Sequence, residues 1–503
     1  MSRTYVDFMN EITPDELYDR LIQYGLFSEK LPSVFDASTF LAFCKTPGRT
    51  PFSDKWYPYA SYNSMRNINI PRPIGIPTPM GYERLCACLK DHWPLIQKHF
   101  INTTSTQTHI VSRIHIRKMH NTDALFEMNY KDWKADGTPE PDLLIGKKYM
   151  VCADISKCFP SIYTHAIPWA LVGKTTAKQY SKNKSAWYNQ IDHFAQISKN
   201  GETHGLLIGP HTSNLLSEII LCKIDEALSQ KWDYIRNIDD YCCYVKSRDE
   251  ADDFLVDLNR CLREYDLSLN HKKTEILELP VGAVERWVRQ LKNKSVYFGK
   301  FKPYVDYKEV QSFLDFSIEL VTQSRENASI IFYALKTLKD FTLTPNAKQY
   351  LAKTVISLAL IYPYIVPLLG EFLFDKYNVS PSLVEHSVNL IYDTYLPKRY
   401  NDACAHALFY AVKYNVIIKN FSVEAVPLAN DCILSLMALI YARHIHDTIA
   451  LKKLKEYAKK LKAASEFEEN WPFTYECLTV GLLGDDWKKM KQADVSFLKK
   501  IYR

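Results

Sequence analysis

The chain has 503 residues, 47% of them hydrophobic, and a formal net charge of +6 at pH 7. That length buries large cores and predicts two or more domains, and the charge permits an anionic partner without requiring one. The 12 cysteines are scattered, with no C-x-x-C pair and no Cys/His spacing typical of zinc, so they read as reduced core thiols of a cytosolic protein.

The opening "MSRTYVDFMNEITPDEL" has no signal-peptide apolar region. Residues 1–300 mix helical and strand patterns. In "KKYMVCADISKCFPSIYTHAI", Tyr149 to Ala153 predicts a strand, with Asp154 at its end and a helix pattern after it. In "YIRNIDDYCCYV", two short runs rich in Tyr, Ile, Val and Cys predict a β-hairpin with Asp239 and Asp240 at the tip. Cys242 and Cys243 then point to opposite faces.

Residues 301–503 read differently. "YKEVQSFLDFSIELV", "ASIIFYALKTLKDF", "NAKQYLAKTVISLALI" and "VPLANDCILSLMALIYAR" carry apolar residues at helical spacing, separated by Pro, Asn or Gly. Such a succession predicts a stacked, HEAT-like helical array, with an irregular bundle as the alternative. The apolar run from Thr354 is broken by Pro363 and Pro367 and is too short for a membrane span. Lys452, Lys453, Lys455, Lys459, Lys460 and Lys462 predict a solvated helix face, with a nucleic-acid contact as the other reading. The fold class is therefore α+β over 1–300, followed by an all-α region over 301–503.

Adjacent aspartates at a hairpin tip repel each other. Asp is a good turn residue, and Asp154 could equally cap a helix. A phosphoryl-transfer site gives a sharper reason: carboxylates from separate elements converge on two metal ions, one activating the attacking oxygen and one neutralising the leaving pyrophosphate.

The order of these segments resembles a reverse-transcriptase palm. "DISKCFPSIYTH" is similar to its first carboxylate motif, with an aromatic, Phe159, five residues after Asp154. "YIRNIDDYCCYV" resembles the double-Asp hairpin, with Asn237 where an aromatic is usual. "GLLIGPHTSNLLSEI", Gly205 to Ile219, resembles the glycine-containing segment, and "LSLNHKKTEIL", Leu267 to Leu277, the segment that follows the hairpin. "IPRPIGIPTPMGYERL", Ile70 to Leu85, resembles a fingers segment. The resemblance implies that Asp154, Asp239 and Asp240, with the Ile155 carbonyl, hold two Mg²⁺ ions, or Mn²⁺. It implies that Phe159 lies under the sugar and excludes a 2′-hydroxyl, and that Gly209 lies near the nucleotide. Arg72, Arg84 and Lys273 become candidate triphosphate ligands, with Arg113 and Lys118 as weaker ones.

Two departures narrow the resemblance. Ile208 stands where a glutamine usually precedes the glycine, and no recognisable thumb follows Lys273. With "LIQYGLFSEKLPSVFDASTF" and "NINIPRPIGIP", the chain resembles the AbiK-like abortive-infection polymerases of bacteria and their prophage-carried relatives. That implies a cytoplasmic homo-oligomer that polymerises dNTPs without a template, leaving single-stranded DNA covalently attached to a tyrosine, in defence against phage. Tyr57, Tyr59 and Tyr62 are clustered candidates for that tyrosine, and the sequence does not choose one. The alternatives are a conventional RNA-templated reverse transcriptase of a retroelement, and an inactive palm carrying a protein-binding helical module.

Overall fold

The computed structural model describes residues 4–113, 116–118, 137–282, 284–298, 300 and 302–503. The first two helices, Tyr5–Asn10 and Pro14–Gly25, start where the sequence provides capping boxes: Thr4 with Asp7, and Thr13 with Glu16.

Strands β1 (Tyr59–Met65) and β2 (Pro71–Pro77) form an antiparallel hairpin that pairs Tyr62 with Ile74. The prolines of β2, at 71, 73 and 77, fall on alternate residues, so they occupy the edge turned away from β1. Proline has no N–H to donate, which leaves that edge nearly mute. The one amide remaining on it, Gly75, donates to the Ile208 carbonyl at 2.9 Å. The hairpin is thereby hydrogen-bonded to the glycine-containing segment.

The central sheet has four antiparallel strands in the order β4 (Tyr234–Asn237), β5 (Asp240–Val245), β3 (Tyr149–Asp154) and β6 (Glu275–Glu278). Val151 and Ala153 alternate into the core from β3, as a half-covered strand requires. Helix Arg248–Arg263 packs against β3 and β5. The sequence placed both aspartates in the turn. The structure moves one of them: Asn237 pairs with Asp240, so the turn is Ile238–Asp239 and Asp240 begins β5.

The region from Tyr307 onward is helical, through Tyr307–Gln323, Ser329–Lys339, Pro345–Ala359, Pro381–Tyr395, Asn401–Lys413, Cys432–His444 and Thr448–Ala463. It shares one hydrophobic cluster with the rest of the chain, extending from Tyr5 to Leu498. The junction is β1. Met65 donates its N–H to Asp402 Oδ2 at 2.8 Å, and the Tyr62 hydroxyl donates to Asp402 Oδ1. Trp471 Nε1 donates to the Ile76 carbonyl of β2 at 3.3 Å. Among the described residues, no helix is long and apolar enough to cross a membrane.

Tyr62→Phe removes one donor from a buried carboxylate and keeps the ring. Its chemical-denaturation midpoint is expected to fall by an amount equivalent to about 1–3 kcal/mol. An unchanged midpoint would mean that Asp402 contributes nothing to seating the helical region on β1.

Candidate active site

The β3–β5 register sets Asp154 directly across from Asp240. Asp154 is 4% exposed, and its two oxygens are taken: Oδ1 accepts from Asn270 Nδ2 at 2.8 Å, and Oδ2 from Lys273 Nζ at 2.5 Å. Asn270 and Lys273 reach it because Leu269 bridges Ile155 in antiparallel fashion, and the Asn270 N–H bonds the Asp154 carbonyl at 2.7 Å. The "LSLNHKKT" segment is thus laid along the end of β3.

Burial pushes the Asp239 carboxyl above its ordinary range, and the Asp154 charge adds to the rise. Asp240 is pushed up to about 7, by partial burial first, then by the Asp239 charge and its hydrogen bond with Asp154. The charges of Lys273 and Arg72 oppose the rise at Asp239, and that of Lys273 opposes it at Asp240. The site is short of positive charge. Even so, no group of three His, Cys, Asp or Glu side chains stands arranged to hold an ion among the described residues. Asp154 is turned to Asn270 and Lys273 instead.

Ile238 sits at φ 56°, a left-handed conformation that a β-branched side chain rarely adopts. Two bonds hold the turn there. Arg236 Nη1 donates to the Ile238 carbonyl at 2.9 Å, and the Ile155 N–H to the Asp239 carbonyl at 3.1 Å. Arg236 is fully buried and also pairs with Glu218 at 3.0 Å and Asp225 at 2.6 Å, both on helix His211–Leu228. Burial would push Glu218 up, but Arg236 outweighs it and holds that carboxyl below its ordinary range. At Asp225 burial prevails over the same guanidinium, and the carboxyl lies above its ordinary range. Sequence reasoning passed over Arg236. The signal was there: one cation inside the strand "YIRN", where its side chain had to be buried.

In front of the turn opens a cleft of about 390 Å³, lined by Arg72 and Ile74 of β2, Phe159, Ile208, Gly209 and Ile238. Arg72 faces Asp239 closely enough for its charge to be felt there. Gly209, at φ 127°, lies so near β2 that a Cβ would meet Ile74 Cγ2 at 2.8 Å. The helical region supplies Ser329 and Tyr364 to the same cleft, neither of which the sequence singled out.

Three expected cations lie elsewhere. Arg84 is paired with Asp54 at 2.8 Å and stacked over Phe194, outside the cleft lining, because it falls on the outer face of helix Pro79–Asp91. Arg113 is buried and donates to the Gly137 carbonyl at 2.7 Å, and Lys118 pairs with Glu16 at 2.6 Å. The tyrosine cluster before the fingers segment is also turned away. Tyr57 and Tyr62 are core side chains, and Tyr57, Tyr59 and Tyr62 all lie outside the cleft lining.

Residues 76–298 match the family model described as reverse transcriptase (RNA-dependent DNA polymerase). That stretch is a reverse transcriptase domain, and the chain is a reverse transcriptase-like nucleotidyltransferase. No curated protein sequence matches. Among solved structures the chain is similar to apo telomerase from Candida tropicalis, at 13% identity over 79% of this chain and 73% of that one. The TM-score is 0.32, a likeness too loose to bear on function.

Arg236→Met leaves Glu218 and Asp225 without their cation and the Ile238 carbonyl without its donor. We expect a loss of about 3–5 kcal/mol in denaturant unfolding, together with loss of nucleotide incorporation. Wild-type values for both would show that the guanidinium does not hold the turn.

Proposed function

We propose that the chain is a template-independent, protein-primed DNA polymerase acting in abortive-infection defence against phage in the bacterial cytoplasm. The observation that carries the priming mode is the wall of the cleft. A tyrosine of the chain itself, Tyr364, lines it beside Arg72 and Phe159, and Ile208 stands where a templating polymerase would present glutamine. The defence role and assembly into homo-oligomers rest on the AbiK-like resemblance.

The donor set suits a divalent metal. Three mutually repelling carboxylates raise each other's affinity for a cation, and an ammonium already stands against one of them. Asp154, Asp239 and Asp240, with the Ile155 carbonyl, would hold Mg²⁺ or Mn²⁺. When bound, the ions would lower the pKa of the attacking hydroxyl and neutralise the pyrophosphate. Arg72 and Lys273 would bind the triphosphate of a dNTP, and Phe159 would lie under its sugar. The HEAT-like character of the helical region belongs to the same reading. It is supported by helices that contact the next but one along the chain, as Tyr307–Gln323 does Pro345–Ala359.

Covalent attachment makes each addition effectively intramolecular, so a growing strand needs no separate grip. The test incubates nuclease-treated protein with labelled dNTPs and Mg²⁺, without primer or template, then uses a denaturing gel and protease digestion. Label is expected to travel with the protein and to shift after protease, and Asp239→Asn is expected to abolish it while keeping the wild-type melting midpoint. Peptide mass spectrometry then names the tyrosine, Tyr364 being the first to examine. Label that appears only with an added primer–template, and never on protein, would turn the assignment to the templated reverse transcriptase.

The sugar contact has its own readout. Phe159→Val should lower the ratio of dNTP to rNTP incorporation several-fold, because the ring edge no longer meets the 2′-hydroxyl. An unchanged ratio in an active variant would make Phe159 a packing residue only.

A further inference from the structure

A second cavity, of about 380 Å³, shares no lining residue with the catalytic cleft. Tyr163, His165 and Trp169 line it together with Lys178 and Lys184, and Lys178 Nζ lies over the Trp169 ring at 5.7 Å. The rings are packed edge to face, Tyr163 on His165 at 4.7 Å and on Trp169 at 5.8 Å. Trp169 is 8% exposed and has Lys174 Nζ 4.1 Å from its ring, so Tyr163 presents most of the aromatic wall.

Its charge is prepared as carefully. Asp192 is the one carboxylate lining the cavity among the described residues, and it is already committed. It is 7% exposed, accepts from Gln196 Nε2 at 2.7 Å and pairs with His165 Nδ1. Gln196 is fixed in turn by Thr164 Oγ1 at 3.2 Å. The Asp192 bond raises the imidazole above its ordinary range and favours the imidazolium. The pair leaves Nε2–H, which has no protein partner among the described residues, for a ligand. Lys178 and Lys184 line the cavity, and with Lys174 and Lys182 they fall in a stretch with no Asp or Glu from Ala166 to Ile191. Lys184 has no ion pair among the described residues and is exposed. A buried carboxylate that orients a half-exposed histidine, in a field otherwise cationic, is suited to an anion. The aromatic wall beside it is suited to a flat ring.

The cavity is near the chemistry. Phe159 lines the catalytic cleft and Tyr163 the second cavity, four residues apart in sequence, so their Cα atoms are at most about 14 Å apart. That spans about four nucleotides at the 3.4 Å rise of a stacked strand.

We propose that this cavity binds a nucleotide, its base against Tyr163 and Trp169 and its phosphate on His165, Lys178 and Lys184. The shared chemistry is a phosphate beside an aromatic base, whether in a free nucleotide or in a strand leaving the cleft. The site does not depend on how synthesis is primed.

Binding is measured on the full chain in EDTA, by fluorescence anisotropy with a labelled dT12 and by competition with dTMP. The variants are Lys184→Glu and His165→Gln, and Lys376→Glu is a charge-matched control at an exposed lysine of the helical region. Lys184→Glu and His165→Gln are each expected to weaken dT12 at least tenfold relative to the control, and to flatten the salt dependence by about one phosphate contact. A parallel loss for dTMP identifies a free-nucleotide site, and a loss for dT12 alone identifies a strand site. Affinities within twofold of the control for both probes overturn the proposal. Lys184 is exposed and makes no ion pair, so its variant folds and keeps the test decisive. Covalent labelling by dNTPs, measured separately, reports on priming whatever the outcome.

Discussion

Like charges set across one antiparallel register are the constraint on which the rest of the domain depends. Pairing β3 with β5 places Asp154 opposite Asp240, and the tight turn places Asp239 one residue away. The backbone cannot relax this repulsion gradually. A slip of one residue would send Val151 and Cys243 from the core to the other face of the sheet. The repulsion is met by neighbours instead: Lys273 and Asn270 on Asp154, Arg72 facing Asp239, and raised proton affinity at Asp239 and Asp240. None of these neutralises the site. A polyvalent cation would do so more completely than one lysine.

Arg236 explains how a strained turn persists there. Its guanidinium is one residue from the turn along the strand, yet it is anchored to a different element through Glu218 and Asp225. Its backbone is bonded on both sides as well, the N–H to Val111 and the carbonyl to Arg113. A buried ion cluster of this kind adds little stability over well-packed apolar side chains. An apolar side chain at 236, though, has no donor for the Ile238 carbonyl. The cluster gives geometry rather than stability, because it fixes the position of Asp239 against helix His211–Leu228.

The strands that carry the carboxylates were legible because their side-chain period and turn chemistry are local. So were the helices beyond Tyr307, where apolar spacing and caps agree. The placement of single cations was not. Arg72 and Arg84 lie twelve residues apart in one motif-like segment, but β2 ends at Pro77 and a helix begins at Pro79. The change from period 2 to period 3.6 sends one guanidinium to the cleft and the other to Asp54. Tyr364 was illegible for a different reason: it lines one cleft with Phe159, from a region some two hundred residues away, and nothing in either stretch encodes the other.

That shared lining bears on how the cleft works. The helical region is seated on β1 through Asp402, which accepts from Tyr62 and Met65 in a dry interface, and β2 is tied to the glycine segment through Gly75. Separating the helices from β1 would expose these groups one by one, at about 1–3 kcal/mol for each partner left unsatisfied while still buried. The helical wall of the cleft is therefore fixed relative to the β1–β2 hairpin. An element that must release and regrip a duplex at every nucleotide addition needs an interface that opens at little cost. This one resists opening, and it carries Ser329 and Tyr364 into the lining shared with Arg72 and Phe159. Under the proposed priming mode a fixed wall would suit a strand held by its own covalent end, which could move out as it lengthens while the protein around it stays closed.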